Sequence, residues 1–232
     1  MKKLFALLFI GIFCISCSSD NDSDGGTVLS NTPLAKAEYD ASNLGIYKGV
    51  FTGSSGVILV NVMNDGNINA TMNLDGTVHT FTTTEAVTAD GDINNLTFTS
   101  GAMSFDLSIS QNGDSIQTSS LIFPGHPSAT LYVVKEYSDA LVTCYQGTFS
   151  GTSTGIFNFI VIDNSIAGLA YNPTDDDLSF IQGVITGTNV NGLIDETEGT
   201  FSGTVSGNSI GGNWTVTNPD PGSGTWTGQR TL

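Results

Sequence analysis

The chain has 232 residues, enough for one large or two ordinary domains, and carries 22 acidic against six basic residues for a formal charge of −16. Charge of that sign repels phosphate backbones and anionic headgroups, which argues against nucleic acid as a partner. Only 12% of the residues are charged, and 28 glycines among many Ser, Thr and Asn suit short strands and tight turns rather than helices.

The chain opens with a basic Met1-Lys2-Lys3, followed by an apolar run from Leu4 to Ile15. That run is too short for a transmembrane helix, which needs about 20 residues, so residues 1–16 are expected to be a secretory signal. Cys14-Ile15-Ser16-Cys17 resembles the bacterial lipobox, with Cys14 where that family usually has Leu. The resemblance implies cleavage after Ser16 and a thioether lipid on Cys17, hence a partnership with a membrane. Several acyl chains, at about 0.8 kcal/mol per buried CH₂, hold where one chain alone binds only marginally. Loss of Lys2 and Lys3 leaves four basic residues against 22 acidic ones, a charge of −18.

Residues 17–34 are expected to form an acidic flexible tether, from the run Ser18-Ser19-Asp20-Asn21-Asp22-Ser23-Asp24-Gly25-Gly26. An acidic Ser/Asp run directly after the lipid cysteine resembles the surface-export signal of Bacteroidetes lipoproteins. It implies a body on the cell surface, anchored in the outer membrane of a Gram-negative bacterium. Asp20, Asp22, Asp24 and Gly25 also have the spacing of a calcium loop, but the twelfth position is Asn31 instead of a bidentate Glu, so no EF-hand is expected.

The body is duplicated. Tyr47-Lys48-Gly49-Val50-Phe51-Thr52-Gly53 returns 98 residues later as Tyr145-Gln146-Gly147-Thr148-Phe149-Ser150-Gly151. Lys36-Ala37-Glu38-Tyr39-Asp40-Ala41 is echoed by Lys135-Glu136-Tyr137-Ser138-Asp139-Ala140, and Val57-Ile58-Leu59-Val60 by Ile156-Phe157-Asn158-Phe159-Ile160. We therefore divide the body into residues 35–134 and 135–232. Turn signals such as Asp75-Gly76, Asn112-Gly113-Asp114 and Asp163-Asn164-Ser165 recur every 8 to 12 residues. The expected class is all-β, a duplicated antiparallel meander giving two barrel-like units of about eight strands each, with a β-sandwich as the alternative. In the second copy strands should begin near Tyr145, Gly155, Ser165, Leu178, Val190, Glu198, Ser209 and Ser223.

Along Tyr145, Gly147, Phe149 and Gly151, aromatic residues alternate with glycine on one face, and Phe201-to-Gly207 and Trp226-Gly228 repeat the pattern. Such a face suits a curved sheet in which a ring lies over a neighbouring glycine. Val57 to Met63 and Ile156 to Ile162 are apolar at successive positions and should be covered on both sides. In style the pattern resembles the up-and-down barrels of the avidin and lipocalin type and the barrel domains of transferrin-binding surface lipoproteins, with no ligand-binding residue to carry over.

Chemistry is sparse. Gly151-Thr152-Ser153-Thr154-Gly155 matches the nucleophile-elbow pattern, but it joins two expected strands, and His79 and His126 both lie in the other copy. A hairpin turn is the expected reading, with no catalytic residue, no cofactor and no zinc set. Cys144, the one cysteine of the body, reads as a small apolar core residue. Asp175, Asp176 and Asp177 are weak candidates for Ca²⁺ ligands; with Asp195-Glu196-Thr197-Glu198 they otherwise read as solvated loop acids. Trp214, Trp226 and Tyr171 could stack on a ligand or fill a core. Asp114-Ser115-Ile116 resembles the short O-glycosylation motif of Bacteroidetes, with Ser115 as acceptor. The function expected from these residues is non-catalytic: a surface-anchored binding or adhesion module, with glycans among its ligands. The alternatives are a structural envelope protein contacting other proteins and, lower, a hydrolase using loop carboxylates.

Overall fold

The computed structural model describes residues 29–89, 91–195, 198–217 and 221–232. The signal, Cys17, the acidic run after it and Glu196 lie outside the described residues. A 3-10 turn, η1 (Ala37–Tyr39), precedes the first eight strands. These are β1 (Gly45–Thr52), β2 (Gly56–Val62), β3 (Ile68–Leu74), β4 (Thr77–Thr82), β5 (Ile93–Ser100), β6 (Met103–Ile109), β7 (Ile116–Ile122) and β8 (Thr130–Glu136). The second eight are β9 (Thr143–Gly151), β10 (Gly155–Ile162), β11 (Ser165–Asn172), β12 (Asp177–Thr186), β13 (Asn189–Ile194), β14 (Gly199–Ser206), β15 (Ser209–Val216) and β16 (Gly222–Arg230).

Both halves are antiparallel meanders, so the duplicated barrel-like reading holds and the sandwich does not. In the second half each strand pairs with its sequence neighbours, and β16 returns to pair with β9, Gly228 opposite Gly147, closing the barrel. In the first half β8 folds back onto β1, but β7 and β8 share no ladder. A Thr118 hydroxyl donates to the Leu131 carbonyl across that seam at 3.1 Å. The observed strands of the second copy begin within two residues of the expected positions. Two-residue hairpins account for that regularity: Asp75-Gly76 and Asp163-Asn164 each place two successive residues at positive φ (50° and 79°; 47° and 68°), the twist that joins antiparallel strands tightly.

The two interiors differ. In the first unit Phe51, Phe81, Phe98, Phe105 and Phe123 meet one another with centroids 5.0–6.5 Å apart, and Tyr47, Met72 and Leu107 complete a solid core. In the second unit the rings lie against the wall. A β-carbon on Gly147 would collide with the Phe157 ring, and one on Gly192 with the Phe201 ring, so glycine is what lets each ring lie flat.

The strands that are apolar on both faces do have two cores to cover them. β1 and β2 turn Tyr47, Phe51, Ile58 and Val60 inward, and Val50 and Val57 outward onto Cys144, Val142, Ile160 and Leu232 of the second half. Asn158 crosses the same junction, its side-chain amide donating to the carbonyls of Phe51 (3.0 Å) and Ser54 (2.6 Å). At one end of the junction Lys48, 2% exposed, pairs with Glu136, 0% exposed. Glu136 also accepts the backbone N–H groups of Leu34 (2.7 Å) and Val142 (3.0 Å), which satisfies the buried carboxylate on several sides.

Candidate ligand cup

The second barrel is hollow at one end. Its odd-numbered strands end there and its even-numbered strands begin there, so inward side chains from the strand ends surround a cavity of about 700 Å³ that opens to solvent. That is within the roughly 300–1,000 Å³ usual for small-molecule sites. At the opposite end Tyr145, Val161, Ile166, Val190 and Ile210 fill the bore. Below them Arg230 donates to the Leu232 carbonyl, to Asn31 and to the Ser30 carbonyl. Residues 30–34, assigned by sequence to the tether, are thus bonded to Arg230 and Glu136 at the closed end.

The wall of the cup is aromatic. Phe157 stacks on Phe159 (5.4 Å) and meets Trp226 edge-on (5.7 Å); Trp226 meets Phe201 (5.8 Å), and Phe149 meets Trp214 (6.0 Å) nearer the rim. Both indole N–H groups are committed to the wall: Trp214 donates to the Ser150 carbonyl (3.2 Å), and Trp226 to the Ser202 and Asn213 carbonyls (3.3 and 3.1 Å). The rings therefore offer the cup carbon surface and π-faces with no spare indole donor.

The rim is polar and acidic, lined by Asp175, Asp177, Asp195 and Glu198. Its loops are tied to one another. The Asn172 amide donates to Ser153 (2.8 Å) and to Asp175 (2.7 Å), and Asp195 accepts the Phe180 N–H (2.7 Å). Thr152 accepts the Ser223 N–H at 3.0 Å. Ser153 lies in the β9–β10 hairpin, as expected of a turn, and the histidines are far off in sequence and fold: His79 in β4, and His126 beside Asp75 at 3.3 Å.

The three candidate calcium ligands do not converge. Asp175 and Asp177 line the cup, whereas Asp176, at φ 52°, turns away and accepts the Tyr171 hydroxyl (3.0 Å). Among the described residues no group of three or more His, Cys, Asp or Glu side chains comes together as a metal site. Of the stacking candidates, Trp214 and Trp226 line the cup and Tyr171 does not. The Tyr171 hydroxyl has a raised pKa, chiefly from its bond to the Asp176 carboxylate. Cys144 is fully buried, its thiol pushed up to about 12 by desolvation, beside the Gly49 carbonyl. Ser115 is exposed in the β6–β7 turn, its N–H bonded to Ser110.

These rings and acids are scattered along the sequence, and nothing local marks them as one site. The missed signal was the spacing of glycines on inward positions, which frees volume that the first unit fills. No family model and no curated protein matches the chain.

Proposed function

We propose that this chain is a lipid-anchored, extracytoplasmic binding protein whose second barrel holds a small ligand by its apolar body. The cup carries the reading: about 700 Å³, walled by six aromatic side chains, closed below and open above. The first unit, with a solid core, serves as a platform, and among the described residues no His and no Cys lines the cup. A saccharide terminus resting on the aromatic faces belongs to the same class of ligand, whereas a closed floor does not suit the middle of a long polymer. The lipobox-like segment supplies the anchor through Cys17. Residues 30–34 are bonded at the closed end, opposite the mouth of the cup.

Binding is testable with Nile red, an uncharged dye whose emission rises in apolar surroundings. The protein should enhance its fluorescence, and Ala170→Phe, which puts a ring into the cup, should abolish the enhancement while the β-sheet circular dichroism persists. An undiminished signal in that variant refutes the cup as the binding site. For the anchor, metabolic labelling with an alkynyl fatty acid should mark the chain and fail on Cys17→Ser. A second reading, contact with other envelope proteins, draws on a strip of exposed apolar side chains outside the second barrel: Leu178, Phe180 and Val184 on β12 and Leu193 on β13. Cross-linking from that strip to a neighbouring protein in intact cells would support it.

A further inference from the structure

Resting on the cup reading, we infer that the ligand is an organic cation with an apolar tail, a quaternary or protonated amine, and not a fatty acid. Three observations combine. The lower cup is mostly carbon: Phe157, Phe159, Phe201, Ile181 and Ile194 line it with the single hydroxyl of Ser179, and the indole donors are spent on the wall. Among the described residues the rim bears four carboxylates and no basic side chain. Between Thr143 and Leu232 the sequence has a single basic residue, Arg230, and it is held at the opposite end by Leu232, Asn31 and Ser30.

An anionic headgroup at this mouth would face four like charges with no basic side chain among the described residues to offset them, a juxtaposition that disfavours binding strongly. A cationic head meets the reverse. Carboxylates in a narrow mouth with low-dielectric walls focus the field and raise the local concentration of cations. Phe149 and Trp214, the aromatic pair nearest the rim, add π-faces of the kind that hold ammonium groups. The apolar tail then descends between Trp226, Phe157 and Phe201. Tail and head are thus recognised by separate layers of one barrel.

The chain's only two tryptophans both line the cup, so intrinsic fluorescence reports on it directly. The unlipidated full chain, carrying Cys17→Ser, is titrated with four probes sharing one octyl tail, each below its micelle-forming concentration. The probes are octyltrimethylammonium, octanoate, octyl glucoside and 1-octanol. The expected result is tightest binding of octyltrimethylammonium, at least tenfold over 1-octanol and octyl glucoside, with octanoate weakest. Added NaCl should weaken the ammonium probe alone. In the double variant Asp177→Asn, Glu198→Gln the ammonium-to-alcohol ratio should fall towards one. Equal or better binding of octanoate or octyl glucoside overturns the cationic ligand while leaving the cup standing. If no octyl probe alters tryptophan emission, the cup reading falls as well.

Discussion

At the scale of single residues, the hollow in the second barrel depends on side chains that are missing. Phe157 lies over Gly147 and Gly228, and Phe149 over Gly155, so that each ring occupies the space of an absent β-carbon. Gly147→Ala would press a methyl group against both the Phe157 ring and the Thr227 carbonyl; the backbone atom cannot swing aside. Overpacking of this kind costs about 1–3 kcal/mol, and we expect the upper part of that range, read as a lower urea midpoint. Cys144 gives a second residue-level prediction. Burial pushes its thiol pKa up to about 12, so at pH 8 almost no thiolate exists and no reagent reaches it. In a chain whose other two cysteines are serine, iodoacetamide should leave the folded protein unmodified at pH 8 and add one adduct in denaturant. Alkylation of the folded form would contradict the packing described.

At the scale of elements, the unpaired seam and the end cap of the first unit are where stability should vary most. β7 and β8 lie beside each other without a ladder, whereas β9 and β16 pair along seven residues each. Hydrogen exchange should therefore be faster for the seam-facing amides of β7 and β8 than for β9 and β16, and equal protection would mean that the first barrel closes in solution. The cap is η1, tied to the linker after β8 by Asp40, whose carboxylate accepts the Ser138 hydroxyl (2.6 Å) and N–H (2.9 Å). The hydroxyl bond first, and the N–H bond next, hold the Asp40 pKa below its usual value. The unfolded state therefore takes up the proton more readily than the folded one. The stabilisation is fully present above the unfolded-state value of about 3.9 and is lost as pH falls through the folded-state value. Asp40→Asn should lower the melting temperature at pH 7, and the gap from the parent chain should shrink below about pH 4.

At the scale of the whole molecule, the two units share a junction as well as a repeat. Val50, Val57, Cys144, Ile160 and Leu232 are buried together, and Asn158 spans the boundary to two carbonyls of the other unit. Asn158→Ala would remove both hydrogen bonds that span the boundary, a loss of about 1–3 kcal/mol. The parent chain should melt in one calorimetric transition, and the variant at a lower temperature. Two well-separated transitions in the parent would show that the junction does not couple the units. The Lys48–Glu136 pair brings the chain before η1, the end of β8 and the start of the second unit to one point, so residues 30–34 and both barrels meet at the closed end of the cup.

Local chemistry was enough to reveal the duplicated meander. Asn, Asp and Gly at positive φ set hairpins at even spacing, and the 98-residue echo from Tyr47 to Tyr145 announced a second copy. The two-faced burial of β2 and β10 was also readable, because a strand apolar at successive positions must have cover on both sides. What the sequence left open was which unit is hollow. Both carry aromatic residues on inward positions, and only their placement around a closed circle decides whether rings meet across the bore, as Phe81 and Phe105 do, or lie against glycines, as Phe157 and Phe201 do. The rim is tertiary for the same reason. Asp175 and Asp177 line the mouth while Asp176, at positive φ in the β11–β12 turn, points out to Tyr171, and Asp195 and Glu198 arrive from a loop about 20 residues further on. Alternation along a strand is a local property, but which strand ends share a mouth is fixed only when β16 closes on β9.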